Sequence, residues 1–157
     1  MEVYLVQHGE AKSKEEDPHR PLTDRGREEV ATVAVALKRH DLRLESIWHS
    51  GKLRASQTAA AFAEALEPAD GVQEKSGLSP KDDPESIAKA LDELEGPTMV
   101  VGHLPHLSRL TSLMTLGDPD REMARFRQGA VLCLARVDEG WRIVWYLTPE
   151  LARIVTA

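Results

Sequence analysis

Two short runs in this chain, Val3-Tyr4-Leu5-Val6 and Thr98-Met99-Val100-Val101, show no alternation of apolar and polar side chains. A strand with one face in water alternates, so these two belong inside a sheet covered on both sides. The segments around them switch to helical spacing. Thr23 suits the N-cap of a helix reaching to about His40, in which Val30, Val33, Ala34 and Leu37 form one apolar stripe. Ser46-Ile47-Trp48-His49 reads as a short strand, and Lys52 to Leu66 as a helix with Ala55, Ala59, Phe62 and Leu66 on one face. Val72 to Lys75 reads as a weak edge strand. Pro84 opens a helix to Leu94 with Ile87, Ala88 and Leu91 inward, and Leu104 to Leu116 is a further helix. Gly129–Val137 and Trp141–Leu147 flank the turn Asp138-Glu139-Gly140, a closing hairpin. Trp141 and Trp145, four apart on one strand, are expected on one face. Strands alternating with helices predict an α/β fold. Its mostly parallel sheet is covered on both faces, with the C-terminal antiparallel hairpin at the edge.

The 157 residues suit a single domain, 1–157. With 20 basic and 26 acidic residues, the net charge of −6 argues against general affinity for nucleic acid or an anionic membrane. Cys133 stands alone and cannot form an internal disulfide, which points to a reducing compartment. Met1-Glu2-Val3-Tyr4 lacks the basic start of a signal peptide, so a cytoplasmic location is expected.

Three segments follow predicted strands directly: Gln7-His8-Gly9, Ser50-Gly51-Lys52-Leu53-Arg54 and Gly102-His103-Leu104-Pro105-His106. In a sheet of this kind, ligands sit outside the carboxyl ends of the strands. Two histidines and an arginine meeting there suit an anion, with imidazole available as nucleophile or acid–base group. The helices that start beside them offer free N–H groups. His103 and His106 are a poor metal pair, since Pro105 separates them and no partner cluster is evident, so no metal or other cofactor is expected. Ser50 either bonds the anion or caps the next helix.

These segments carry a resemblance. Gln7-His8-Gly9, Pro21-Leu22-Thr23 with Gly26, Leu53-Arg54-Ala55 with Gln57-Thr58-Ala59, and Val101-Gly102-His103 resemble the histidine phosphatase superfamily. Gly102 to Ser108, the run from Gly129 to Leu134, Trp141 and the run from Trp145 to Pro149 narrow this to the short SixA-type phosphohistidine phosphatases. The resemblance implies a three-layer α/β/α sandwich of the phosphoglycerate-mutase type. It also implies a metal-independent reaction in which His8 attacks phosphorus and a water then hydrolyses the phosphohistidine intermediate. His103 and Arg54 are the matching catalytic phosphoryl binders, with Gly9, Ser50 and Gln7 beside them. The substrate implied is phosphohistidine on a protein, with inorganic phosphate as product, and a monomer is expected.

Two positions depart from the family pattern. Gln7 stands where the family has an arginine, which removes a charge and a guanidinium fork. Arg20 and Arg109, with His106, are candidates for the pocket rim, and either arginine is in a position to compensate. Gly51 replaces a proline, a change expected to alter only the turn. In Leu78-Ser79-Pro80-Lys81-Asp82-Asp83 no acid matches the general acid of ester-cleaving relatives, which favours a phosphoramidate substrate. Two alternatives stay open. One is a phosphatase of a small phosphomonoester or pyrophosphate, the other a catalytically impaired phosphoryl-binding module.

Overall fold

In the computed structural model, which describes all 157 residues, the two non-alternating runs lie side by side at the centre of one sheet. They are β1 (Glu2–Gln7) and β4 (Thr98–Gly102), paired in parallel with Gln7 opposite Gly102. β2 (Ser46–His49) joins the other side of β4 and β3 (Val72–Glu74) forms that edge, both parallel. β5 (Val131–Val137) runs antiparallel to β1, and β6 (Gly140–Leu147) closes the far edge, giving the order β3-β2-β4-β1-β5-β6.

The period of two along each strand divides the core. Tyr4, Val6, Met99, Val101, Val131 and Cys133 point to one face and pack with α1 (Asp24–Arg39) and α2 (Leu53–Leu66). Val3, Leu5, Val100, Leu132 and Leu134 point to the other, under α3 (Glu85–Asp92) and α4 (His106–Leu116). The result is a three-layer α/β/α sandwich. Phe62 on α2 and Leu107 and Leu110 on α4 are wholly buried, and each such side chain contributes roughly 1.5–3 kcal/mol on leaving water. Thr23 caps α1 by accepting the Gly26 N–H at 2.9 Å. No helix is long and apolar enough to cross a membrane.

The structure adds or corrects three features. An eight-residue helix, α5 (Pro149–Thr156), follows β6 and lies against α1, burying Ala152. Thr148 caps it and Pro149 takes its first turn. The two tryptophans lie on opposite faces rather than one. The β5–β6 register slips between Cys133 and Leu134, which inserts one extra residue in β6. A bulge reverses the faces beyond it, so Trp141 packs with the α3–α4 core and Trp145 with the α1–α2 core. Finally, α4 begins at His106, two residues later than its apolar spacing suggests.

Candidate active site

Because β1, β2 and β4 are parallel neighbours, their carboxyl ends open on one edge, and the residues after them are brought together by register alone. His8 follows β1 and His103 follows β4. The Gln7–Gly102 pairing sets their rings 5.1 Å apart, centroid to centroid. Ser50 follows β2, and its Oγ lies 2.6 Å from His103 Nε2. Arg54 lies in the first turn of α2.

His8 is held in one tautomer. Its Nδ1 is 2.7 Å from the carbonyl oxygen of Gly9, which only accepts, so Nδ1 carries the proton and Nε2 keeps its lone pair. The ring is 7% exposed, and burial pushes its pKa down to about 4 despite the Gly9 bond, with Arg54 and Arg20 adding to the drop. Burial likewise lowers His103 to about 3, helped by His8 and Arg54. Both imidazoles are therefore neutral at pH 7. Burial first, and Arg20 second, hold the Arg54 guanidinium below its ordinary value, yet an arginine so placed stays a cation.

Three polar atoms here are buried without a partner in the chain: Arg54 Nε, His103 Nδ1 and Gln7 Oε1. Leaving a buried donor unpaired costs about 1–3 kcal/mol, and the Arg54 Nε–H is such a donor, which an entering anion would pair. The two helices that start here, α2 and α4, also have no side-chain cap, whereas α1 and α5 have theirs from Thr23 and Thr148. Their first N–H groups face the same edge as the histidines, the ordinary provision for an anion.

Thr58 and Gln57, which in the amino-acid order are only part of a motif, are the ties that set this geometry. Thr58 Oγ1 accepts the Gly9 N–H at 3.0 Å and donates to the Arg54 carbonyl at 2.7 Å, so one hydroxyl links the nucleophile loop to the arginine. Gln57 Oε1 accepts the Leu22 N–H at 2.8 Å, fastening the Pro21-Leu22-Thr23 loop to α2.

Other expectations are redirected. The Gly9 N–H, expected to face the anion, is taken by Thr58. The glycine is needed instead for space, since a Cβ there would lie 2.9 Å from Val30 Cγ2. His106 is wholly buried behind the site rather than on its rim. Arg109 pairs with Asp120 at 3.4 Å and does not line the cleft. Arg20 does line it, its Nε bonded to the Lys12 carbonyl at 3.1 Å. Gly51 has φ +90°, which proline cannot adopt and which strains any other side chain. Ser50 does not cap α2 by its side chain, although its Oγ accepts the Lys52 N–H at 3.3 Å. No group of three His, Cys, Asp or Glu side chains is arranged to hold a metal ion.

Comparison with known proteins agrees with this geometry. Residues 3–79 match the model of the histidine phosphatase superfamily, branch 1. That stretch holds His8, Ser50 and Arg54. Over these residues the chain is similar to the histidine phosphatase superfamily. It is 29% identical over 123 residues to the phosphohistidine phosphatase SixA of Escherichia coli strain K12, covering 75% of this chain and 76% of that one. The structure of the protein histidine phosphatase SixA complexed with tungstate superposes with a TM-score of 0.84 at 24% identity, over 95% of this chain and 97% of the other. A phosphoserine phosphatase from Entamoeba histolytica, in complex with 3-phosphoglyceric acid, has the same fold at TM-score 0.68 and 14% identity, over 94% and 96% of the two chains.

Proposed function

We propose that this protein is a phosphatase that removes the phosphoryl group from phosphohistidine on a protein, through a covalent intermediate on His8. The observation that carries the reading is the state of His8: Nδ1 donating to Gly9, Nε2 bare, the ring neutral down to about pH 4, and a buried arginine N–H without an acceptor in the same site. A neutral imidazole needs no base before it attacks. Nε2 forms the bond to phosphorus as the bond to the substrate nitrogen breaks, and the departing imidazole takes the electron pair and then a proton from water. As the His8 ring gains positive charge, its Nδ1–H bond to the Gly9 carbonyl strengthens, an interaction worth more in the transition state than in the ground state. Arg54, His103 and the uncapped helix ends hold the phosphoryl oxygens. Water then attacks phosphorus, the Nε2–P bond breaks, and orthophosphate leaves with its proton released to solvent. None of these steps calls on a metal ion.

The SixA likeness supports phosphohistidine as substrate, and so does the cleft. Asp82, its Oδ2 held by the Ser79 N–H at 3.0 Å, is its one carboxylate, and no second acid lines the cleft to protonate an alkoxide. Gln7 favours a second reading, a site that binds phosphoryl groups and turns over slowly, because a neutral amide replaces a guanidinium fork. One panel decides between them: phosphate release from a phosphohistidine protein, with EDTA present, by wild type, His8→Ala and Gln7→Arg. Turnover by wild type that is lost in His8→Ala supports the phosphatase. Turnover seen only in Gln7→Arg supports the binding module, and release of phosphate from small esters in preference to phosphohistidine overturns the substrate assignment.

A further inference from the structure

The cleft outside His8 and His103 has a volume of about 620 Å³ and a composition at odds with the rest of the chain. In a molecule of net charge −6, its walls carry Lys14, Arg20, Lys52, Arg54 and Lys81 against the single acid Asp82. Arg20 and Arg54 lie at the phosphoryl site. The three lysines lie on its mouth, one each from the loops after β1, β2 and β3. All three are exposed, and none is in a salt bridge.

Most acids of the same loops are bonded within those loops, Asp82 among them although it lines the cleft. Glu16 accepts from the N–H and hydroxyl of Ser13, and Asp17 from the His19 N–H. Asp82 and Asp83 accept from the backbone of Ser79 and Glu85. Carboxylates tied into turns in this way hold the loops in shape. The ammonium groups are left for whatever enters. Three lysines reach the cleft from three separate loops, while Arg54 and the helix ends already serve the phosphoryl group itself.

We propose that Lys14, Lys52 and Lys81 form a docking ring for a protein whose phosphorylated side chain is set among carboxylates. The ring recognises the acidic surroundings of the phosphoryl group rather than the group itself. This rests on the phosphatase reading and adds the class of partner. Flexible, solvated lysines suit such a surface, because they steer an acidic partner by long-range attraction and are screened by salt.

The test uses two synthetic peptides carrying phosphohistidine, one flanked by aspartates and one by serines, together with phosphoramidate and pyrophosphate as small substrates. The enzymes are wild type and the triple variant Lys14→Glu, Lys52→Gln, Lys81→Glu, with a neutral residue at 52 because that position opens α2 and its charge is felt by His103. Wild type is expected to favour the acidic peptide about tenfold in kcat/KM at low salt, through KM, with the preference fading as salt is raised. The triple variant should lose or reverse that preference and hydrolyse phosphoramidate within about twofold of wild type. Equal use of the two peptides at low salt overturns the ring, as does loss of phosphoramidate hydrolysis by the folded triple variant. Pyrophosphate favoured over the acidic peptide, and sensitive to the triple change, assigns the lysines to a small polyanion and also overturns it. If wild type hydrolyses none of these, the phosphatase reading fails, and titration of His8→Ala with the same peptides still decides the ring: tighter, salt-sensitive binding of the acidic one supports it, equal binding overturns it.

Discussion

Arg127 and Arg54 are both partly buried, yet the fold holds them in opposite ways. Arg127 donates to Glu29 Oε2 at 2.5 Å and to Glu150 Oε1 at 2.7 Å, tying the loop before β5 to α1 and α5. Burial would lower its pKa, but the bonds to Glu150 and Glu29 raise it above the ordinary value. Arg54 has no carboxylate, a buried Nε without an acceptor, and a pKa lowered by burial and by a second cation, Arg20. One arginine completes the structure and the other is left incomplete by it. A half-buried cation with an unpaired Nε beside two neutral histidines marks the edge where an anion belongs.

Substitutions at and around the two arginines put this contrast at risk. His8→Ala should have the largest effect, lowering phosphate release at least about 10³-fold with the thermal midpoint little changed. A residual rate near wild type would remove His8 from the chemistry. Arg54→Ala should cost about 10²–10³-fold in kcat/KM without lowering Tm, since it relieves an unpaired cation. Arg127→Ala should do the reverse. It leaves the buried Glu29 carboxylate only the exposed Arg25, 3.5 Å away, so stability should fall by about 1.5–3 kcal/mol in denaturant titration, while the folded fraction keeps its activity. If both arginines behave alike, the contrast drawn between them is wrong. Gln7→Arg should raise kcat/KM about tenfold by restoring a charged donor, read in the same assay.

The pH response tests the same site in a different way. His8 and His103 have folded values of about 4 and 3, below the ordinary 6.5. From pH 6.5 downward the unfolded chain binds more protons than the native one, so stability declines as pH falls toward 4. The same protonation removes the nucleophile, so the rate should hold to about pH 5 and then fall on a limb shared by the coupled pair. A limb near 6.5 would mean that the histidines are solvated.

Much of this is legible in the amino-acid order. The central strands announce themselves by lacking alternation, and the rule that ligands gather at carboxyl ends then brings His8, Ser50 and His103 together before any coordinate is known. What escapes depends on geometry that a pattern does not encode. The inserted residue in β6 makes no mark on composition, so the period of two carries Trp145 to the wrong face. The signals of α5 are present in Thr148, Pro149 and Glu150, but they follow directly on an aromatic strand, and Ile154, 72% exposed, blurs its apolar stripe. Apolar spacing starts α4 at Leu104, whereas the helix begins at His106, which lies wholly buried in its first turn. The roles of Gly9 and Thr58 turn on a single hydrogen bond between residues 49 apart. Neither an unpaired buried atom nor a carboxylate folded back into its own loop can be read from a residue's identity.

Trapping the intermediate reaches the chemistry of His8 without inference from rates. Wild type is mixed with a phosphohistidine protein in EDTA, quenched in alkali within one turnover, digested and examined by mass spectrometry. A phosphoryl group is expected on the peptide containing His8, rising before phosphate appears and decaying as it is released, and absent from His8→Ala. Phosphate released at full rate with His8 never labelled would contradict the covalent mechanism.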